Sequence, residues 1–317
     1  MKDSAVWLTW ERQRRNASMA RVLGVRYCEL ITNKKGGFRY LSLISRTLVL
    51  LFKNRPQTIF YQNPSIVLSL VVVLYKICTI KKVIIVGDYH NAGVYPPKGE
   101  SLTPFLVGNS DLVLVSNDNL VEIVSAMGGV GVAYPDPLPN IEAVSYSDVL
   151  SENNVLFVCS WAEDEPINEV LEAAKGLPDV DILISGRVNF DRYPNARNKT
   201  DNVKLLGFLP EQEFDSLLSE VDVVMDLTTR DDCMVCGAYE AVSVGRPLIL
   251  SDNPVSTSYF DKGVLFTDNS SEDITIQIKK ALEGNNNLKM DIEKLKNSLK
   301  DKDEKRAKDL LDRICII

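Results

Sequence analysis

An aspartate and the only histidine of the chain stand two residues apart in Gly87-Asp88-Tyr89-His90-Asn91-Ala92-Gly93. The run Lys82-Val83-Ile84-Ile85-Val86 before it predicts a buried strand, so both side chains fall at a strand exit. Either Asp88 or His90 could take the proton from an attacking hydroxyl while the other orients it or the substrate. An aspartate cap and a histidine hydrogen-bonded within its loop account for the same spacing. A second strand exit, Ile59-Phe60-Tyr61-Gln62-Asn63-Pro64-Ser65, supplies two amides. Gln62 and Asn63 suit sugar hydroxyls; Asn63 and Ser65 equally suit the cap of a following helix.

A second group of residues lies further along the chain. Asp226-Leu227-Thr228-Thr229-Arg230-Asp231-Asp232 ends a strand, and Glu240 follows Asp232 after seven intervening residues. A turn into a helix N-terminus offers amide donors to phosphate, and a carboxylate one turn into that helix can hold a ribose diol. Thr228 and Thr229 can add hydroxyl donors. Arg187, after Ser185-Gly186, is the first candidate for the cation that neutralises a diphosphate, and Arg230 the second; solvated surface arginines are the alternative. The backbone near Leu209, in Gly207-Phe208-Leu209-Pro210, can read a nucleobase edge or simply turn the chain into a helix.

These residues need elements that bring them to one edge. Short β-branched runs at 6–10, 27–31, 58–61, 82–86, 111–115 and 131–134 predict strands. Helix patterns fall between them at 16–24, 38–53, 65–79, 101–108 and 118–127. The order predicts an α/β fold with a parallel sheet covered on both faces. Three prolines in Tyr134-Pro135-Asp136-Pro137-Leu138-Pro139-Asn140 interrupt the series and read as a linker. A second series follows, with strands at 155–159, 181–184, 203–206, 221–226, 247–251 and 263–266 and helices at 165–175, 211–219, 236–244 and 271–283. The expected organisation is two Rossmann-like, doubly wound domains, 1–138 and 139–288. A charged helical tail, 289–317, is free to pack back on the first domain. Ligands of such sheets sit beyond the carboxyl ends of the strands, here in a cleft between the domains. Neither domain carries Gly-x-Gly-x-x-Gly after its first strand or a Walker A loop, which disfavours a dinucleotide dehydrogenase and a phosphate-loop NTPase.

The 317 residues are 45% hydrophobic and 25% charged, the composition of a globular protein with a substantial core. Residues 1–145 carry 16 lysines and arginines against 10 carboxylates, a balance of +6; the remainder carries 20 against 33, a balance of −13. A basic first half suits an anionic partner. Arg12, Arg14 and Arg15, with Lys34, Lys35 and Arg39, lie near Trp7, Trp10, Phe38 and Tyr40, a mixture that suits an anionic membrane surface. The apolar run 66–80 is shorter than a bilayer span and reads as a buried helix. Six scattered cysteines in a chain with no signal-peptide pattern read as reduced thiols in a cytoplasm. Cys233 and Cys236 form one pair without a second, so no metal site is expected.

The residues from about 154 to 284 resemble the nucleotide-sugar domain of GT-B glycosyltransferases, through the Gly-Phe-Leu-Pro turn and the acidic-x7-Glu pattern ending at Glu240. Gln62-Asn63-Pro64, Asp88-Tyr89-His90-Asn91 and Ser160-Trp161-Ala162-Glu163-Asp164-Glu165 look, in the same order, like segments of the eukaryotic dolichol-linked chitobiose β-mannosyltransferase. That resemblance implies an inverting transfer, without metal or other cofactor, from a nucleotide-diphospho sugar (GDP-mannose or a UDP-sugar) to a polyprenyl-linked glycan at the cytoplasmic membrane face. It implies donor contacts at Ser160, Glu163, Arg187, Leu209, Thr228, Thr229, Asp232 and Glu240. Acceptor contacts are expected at Gln62, Asn63 and Asn91, and at Arg12, Arg14 and Arg15, where an arginine-rich loop replaces a glycine and could grip phosphate. A short chain without an anchor points towards bacterial capsule, O-antigen or exopolysaccharide synthesis, with no nucleic acid among the partners. An epimerase of the same architecture and a non-catalytic subunit are the alternatives.

Overall fold

The structure is a computed structural model that describes residues 4–63, 65–89, 94, 100–142, 146 and 150–317. His90 and Asn91 lie outside the described residues. The chain divides into two units, Met1–Pro137 with Asp301–Ile317, and Leu138–Lys300.

The first unit is built on strands β1 (Ala5–Thr9), β2 (Arg26–Glu29), β3 (Thr58–Asn63), β4 (Ile84–Tyr89), β5 (Leu112–Val115) and β6 (Gly131–Ala133). They form one parallel sheet in the order β2-β1-β3-β4-β5-β6. Helices α1 (Arg14–Leu23), α2 (Gly36–Asn54), α3 (Ile66–Cys78), α4 (Thr103–Asn109) and α5 (Asp118–Ala126) connect them. One core packs α2 to α5 on one face of the sheet, through Leu43, Leu51, Leu68, Val72, Leu106 and Val124. The other face is covered by α1, through Met19, Ala20 and Leu23, and by the end of the last helix, through Ala307, Leu310 and Ile314. Two covered faces are why the strands read as continuous apolar runs. Strand order reverses between β1 and β3, so the carboxyl ends of those strands flank the switch point where ligands of such sheets sit.

The second unit repeats the plan with β7 (Asn154–Phe157), β8 (Asp181–Ser185), β9 (Val203–Gly207), β10 (Val223–Asp226), β11 (Leu248–Ser251) and β12 (Val264–Thr267). The parallel order is β12-β11-β10-β7-β8-β9, the dinucleotide-fold order with its switch point between β7 and β10. Its helices are α6 (Ile167–Lys175), α7 (Glu211–Glu220), α8 (Cys236–Ser243), α9 (Pro254–Tyr259) and α10 (Ser271–Glu283). The six-residue α9 was not expected from the sequence; it is too short to show a period, though Asn253 caps it and Pro254 opens it.

The tail is one 32-residue helix, α11 (Asn285–Ile316). It begins before the expected boundary at 289 and divides between the units: Ile292, Leu295 and Leu299 pack in the second core, while Ala307, Leu310 and Ile314 pack in the first. Among the described residues no helix is long and apolar enough to cross a membrane. Truncating Leu310, which is fully buried on the first sheet, to alanine should lower the unfolding free energy by about 2–4 kcal/mol in urea titrations. An unchanged midpoint would show that the end of α11 is not part of that core.

Candidate active site

In the first unit the described candidates lie at or just beyond the carboxyl ends of β1, β3 and β4, and one buried arginine ties the start of α1 to Asp88 and to the proline-rich segment. Arg15, in the first turn of α1, faces the sheet; its side chain is 4% exposed and that of Asp88 1%. Arg15 Nε donates to Asp88 Oδ2 at 2.9 Å and one terminal nitrogen donates to Oδ1 at 2.6 Å, a side-on fork. The same nitrogen donates to the Tyr134 carbonyl oxygen at 3.0 Å, and the other terminal nitrogen to Asp136 at 2.6 Å. Burial by itself would lower the guanidinium pKa, but Asp88 and Asp136 outweigh it and hold the pKa above its ordinary value. Two expectations are corrected here. Arg15 is not available to grip an acceptor phosphate, because every nitrogen is bound inside the fold. Asp88 is not an open base, because both of its oxygens already accept from Arg15.

Gln62 is also turned inwards. It is buried, accepts from Thr9 Oγ1 and donates to Gln13 Oε1 at 2.6 Å. Asn16 donates to Thr9 Oγ1 at 3.2 Å and accepts from the Trp7 indole at 3.0 Å. This chain fixes the start of α1 against β1 and β3, so the Gln62 amide serves the fold rather than a sugar hydroxyl. Asn63 differs: it is buried, yet its Oδ1 has no hydrogen-bond partner among the described residues. Ser65 caps α3 by accepting from the Leu68 amide at 3.4 Å. Arg12 is exposed, 3.4 Å from Glu29, and Arg14 is half-buried. Trp7 and Trp10 are core residues, not part of a surface beside the cations.

In the second unit all the expected residues follow the carboxyl ends of β7 to β10 or stand on α8. The loop after β7 folds around Glu165. Its carboxylate accepts from the Ser160 amide and hydroxyl, each at 2.9 Å, and from the Ala162 amide at 2.7 Å. Trp161 adopts a left-handed φ of 64° and drives its indole inward, donating to the Ser185 carbonyl at 2.9 Å. Gly186 is required beside it: a Cβ there would lie 2.0 Å from the Cys159 carbonyl oxygen, and its φ is +85°. Glu163 is left exposed, 3.5 Å from Arg192. Arg187 and Thr229 are exposed, and Leu209 is half-buried against the second core.

The loops after β7 and β10 are stitched together by Asp164. Its side chain accepts from Thr228 Oγ1 at 2.9 Å and its carbonyl from the Thr229 amide at 2.7 Å. Thr228 is buried, with its amide donating to Ser251 Oγ. A phosphate role for the Thr228 hydroxyl is therefore corrected; it binds a carboxylate of the protein. Asp232 is exposed in the loop that leads to α8, and Glu240 is half-buried in the second turn of that helix.

Asp226, the last residue of β10, is the site residue that sequence reasoning missed. It is buried and accepts from the Gly237 amide at 2.8 Å in the first turn of α8. Gly237 is held by this approach, since a Cβ would lie 2.4 Å from Asp226 Oδ2. Burial pushes the Asp226 carboxyl well above its ordinary value; the Gly237 amide opposes that, and Glu165, Glu240 and Asp164 add to it. A charged residue closing an otherwise apolar strand is the signal that could have found it. Among the described residues no cluster of three His, Cys, Asp or Glu side chains could hold a metal ion.

Two outcomes test this geometry. Arg15→Met leaves Asp88 buried without its partner and should cost about 3–5 kcal/mol, of which Asp88→Leu in the same chain recovers a large part. A single variant within about 0.5 kcal/mol of the parent would show that the pair holds nothing. For Asp226 the native carboxyl keeps its proton to higher pH than the unfolded one. Its contribution is therefore present below the ordinary value of 3.8 and is lost as pH rises towards the raised native value. Asp226→Asn, which still accepts from Gly237, should flatten that decline in urea unfolding at a series of pH values. An identical slope in both proteins would place the titration elsewhere.

Residues 146–300 match the model of the family described as Glycosyl transferases group 1. A search of curated proteins finds no sequence match. Among solved structures, Anabaena HepE in complex with UDP and glucose superposes with a TM-score of 0.70 at 12% identity, over 98% of this chain and 99% of that one. Sucrose-phosphate synthase from Thermosynechococcus elongatus gives 0.70 at 13% identity, over 92% and 84%. A glycosyltransferase from Rickettsia africae gives 0.64 at 12% identity, over 99% of both chains. At such identities the neighbours establish the two-domain GT-B fold, and the second unit carries the match to Glycosyl transferases group 1, which supports a glycosyltransferase.

Proposed function

We propose that the chain transfers a sugar from a nucleotide-diphospho sugar to a lipid-linked glycan, with inversion and without a metal, in bacterial polysaccharide or glycoconjugate synthesis at the cytoplasmic membrane face. The observation that carries the donor is the arrangement at the β10 exit. Asp226 and Gly237 lock the start of α8 there, and Glu240 stands in its second turn. The positive end of α8 favours the diphosphate, and Glu240 takes the ribose diol. Arg187 and Thr229 face the phosphates, Ser160, Glu163 and Asp232 border the sugar, and the backbone at Leu209 reads the base. HepE, which shares the fold, is a UDP complex, and this favours a UDP-sugar over GDP-mannose as the donor.

On the acceptor side, Asn63 has a buried acceptor atom without a partner among the described residues, which suits a sugar hydroxyl, and Asn91, one residue after His90 in sequence, is the second amide assigned to the acceptor. Arg12 and Arg14, just before and at the start of α1, are the cations assigned to the carrier phosphates. With Asp88 neutralised by Arg15, the base is His90. It removes the proton of the acceptor hydroxyl, whose oxygen bonds to the anomeric carbon as the nucleoside diphosphate leaves from the opposite face. Asp88 acts through position, holding the β4 exit that carries His90.

The test is calorimetry against a panel of UDP- and GDP-sugars. One UDP-sugar should bind, and Glu240→Ala should weaken it by about 1.5–3 kcal/mol, roughly 10- to 150-fold, by removing hydrogen bonds to a charged group. Unchanged affinity in the variant would remove Glu240 from the donor site, and binding of GDP-sugars alone would reverse the donor assignment.

A further inference from the structure

Helix α2 carries two apolar faces. Leu43, Thr47 and Leu51 point into the first core. On the opposite side Phe38, Leu41, Val49 and Phe52 recur at three-, eight- and three-residue steps, which keeps them on one stripe about 20 Å long. They are 76%, 63%, 65% and 59% exposed. Ser45, exposed between Leu41 and Val49, divides the stripe into two apolar pairs; burial in the fold explains neither pair, and exposed apolar residues grouped on one face mark a contact surface. It continues onto α3: Phe52 meets Tyr75 edge-on at 5.2 Å, and Leu74, Ile77 and Ile80 are exposed beyond it.

The charge around the stripe has one sign. From residue 30 to residue 87 the sequence holds nine lysines and arginines and no aspartate or glutamate. Arg39, Arg46 and Lys53 run beside the stripe at seven-residue intervals. Two grooves flank it. One, of about 430 Å³, is lined by Leu30, Val49 and Leu50 with Arg26, Arg46 and Lys53. The other, of about 350 Å³, is lined by Phe52, Tyr75 and Ile80 with Arg55, Lys81 and Lys82. Some of these cations are engaged locally: Arg39 lies 3.9 Å from Glu11, Arg46 donates to the Ile31 carbonyl, and Lys82 donates to Ile317. Arg26, Lys53, Arg55 and Lys81 are exposed at the rims.

We propose that this face of the first unit, the outer stripe of α2 with the exposed end of α3, docks on an anionic lipid bilayer. The apolar side chains enter the boundary between headgroups and acyl chains, and the rim cations meet headgroup phosphates. A protein partner of ordinary composition would leave so uniform a cationic rim unmatched; an anionic lipid surface matches all of it. The purpose assigned to the face rests on the reading of the acceptor as lipid-linked, while the observations do not. It replaces Trp7 and Trp10, which are buried, with residues that stand in solvent.

The experiment is vesicle flotation of the full chain, with phosphatidylcholine alone and with equal parts phosphatidylglycerol and phosphatidylcholine. The protein should float with the anionic vesicles, stay behind with the neutral ones, and be released by salt. Phe38→Ser with Phe52→Ser, and separately Lys53→Glu with Lys81→Glu, should each weaken binding about 10-fold or more. Thermal unfolding should stay close to the parent's, because Phe38, Lys53 and Lys81 stand in solvent and Phe52, which gives up only its edge contact with Tyr75, is more than half exposed. Transfer to a water-soluble acceptor should be unaffected, so loss of that transfer in the parent would count against the proposed reaction and not against this face. Anionic vesicles that bind no protein, or that bind the variants as well as the parent, would overturn the proposal. A concentration-dependent dimer dissolved by the same substitutions would overturn it too, by giving the stripe to a second copy of the chain.

Discussion

The geometry of the first unit depends on one buried guanidinium. Taking an arginine out of water costs several kcal/mol unless all of its hydrogens are matched. Arg15 meets that demand by binding Asp88 at the β4 exit, Asp136 and the Tyr134 carbonyl in the proline-rich segment, from a position in the first turn of α1. Three stretches far apart in sequence are thereby held at the carboxyl edge of one sheet, next to the β1–β3 switch point. A buried ion network of this kind contributes less to stability than to definition. Its members cannot shift without uncovering charge, so the end of β4 at Tyr89 is held in a fixed place.

The second unit reaches a comparable result by other means. Its carboxyl edge is organised by carboxylates that bind backbone amides. Glu165 gathers the turn after β7, Asp164 joins that turn to Thr228 and Thr229, and Asp226 ties β10 to the first turn of α8. With Glu240 on α8 these make four acidic groups in one neighbourhood, which repel one another when charged. Burial holds the Asp226 carboxyl well above its ordinary value, and Glu165, Glu240 and Asp164 add to that shift. Two glycines complete the edge by necessity, Gly186 beneath the Cys159 carbonyl and Gly237 against Asp226.

Much of this was legible before any coordinates. Parallel strands covered on both faces read as unbroken runs such as Val113-Leu114-Val115, and they appear where expected because no tertiary choice competes with them. The strand exits follow from the same logic, and they place Asp88 and the loop after β7 at the carboxyl ends of their strands, with Glu240 on the helix after β10. Pairing was not legible. Arg12, Arg14 and Arg15 are chemically alike in sequence, and only the orientation of α1 against the sheet sends Arg15 inward and leaves Arg12 in solvent. Gln62 and Thr228 have the right types for ligand contacts, but buried neighbours claim their hydrogen bonds first. Trp7 and Trp10 lay near basic residues in sequence and face the opposite way in the fold, because alternate strand positions and a helix surface were read as one patch.

The uneven charge of the chain also governs its behaviour as a colloid. The sequence isoelectric point is about 5.0, which describes a simple anion at neutral pH. Yet the net negative charge comes from the later half, while residues 30–87 contribute only cations. Such a charge distribution offers an attractive face to both kinds of ion-exchange resin at the same pH. Its retention on a cation exchanger reports the first unit and its retention on an anion exchanger the second, so the average charge is a poor guide to how either unit meets a charged surface.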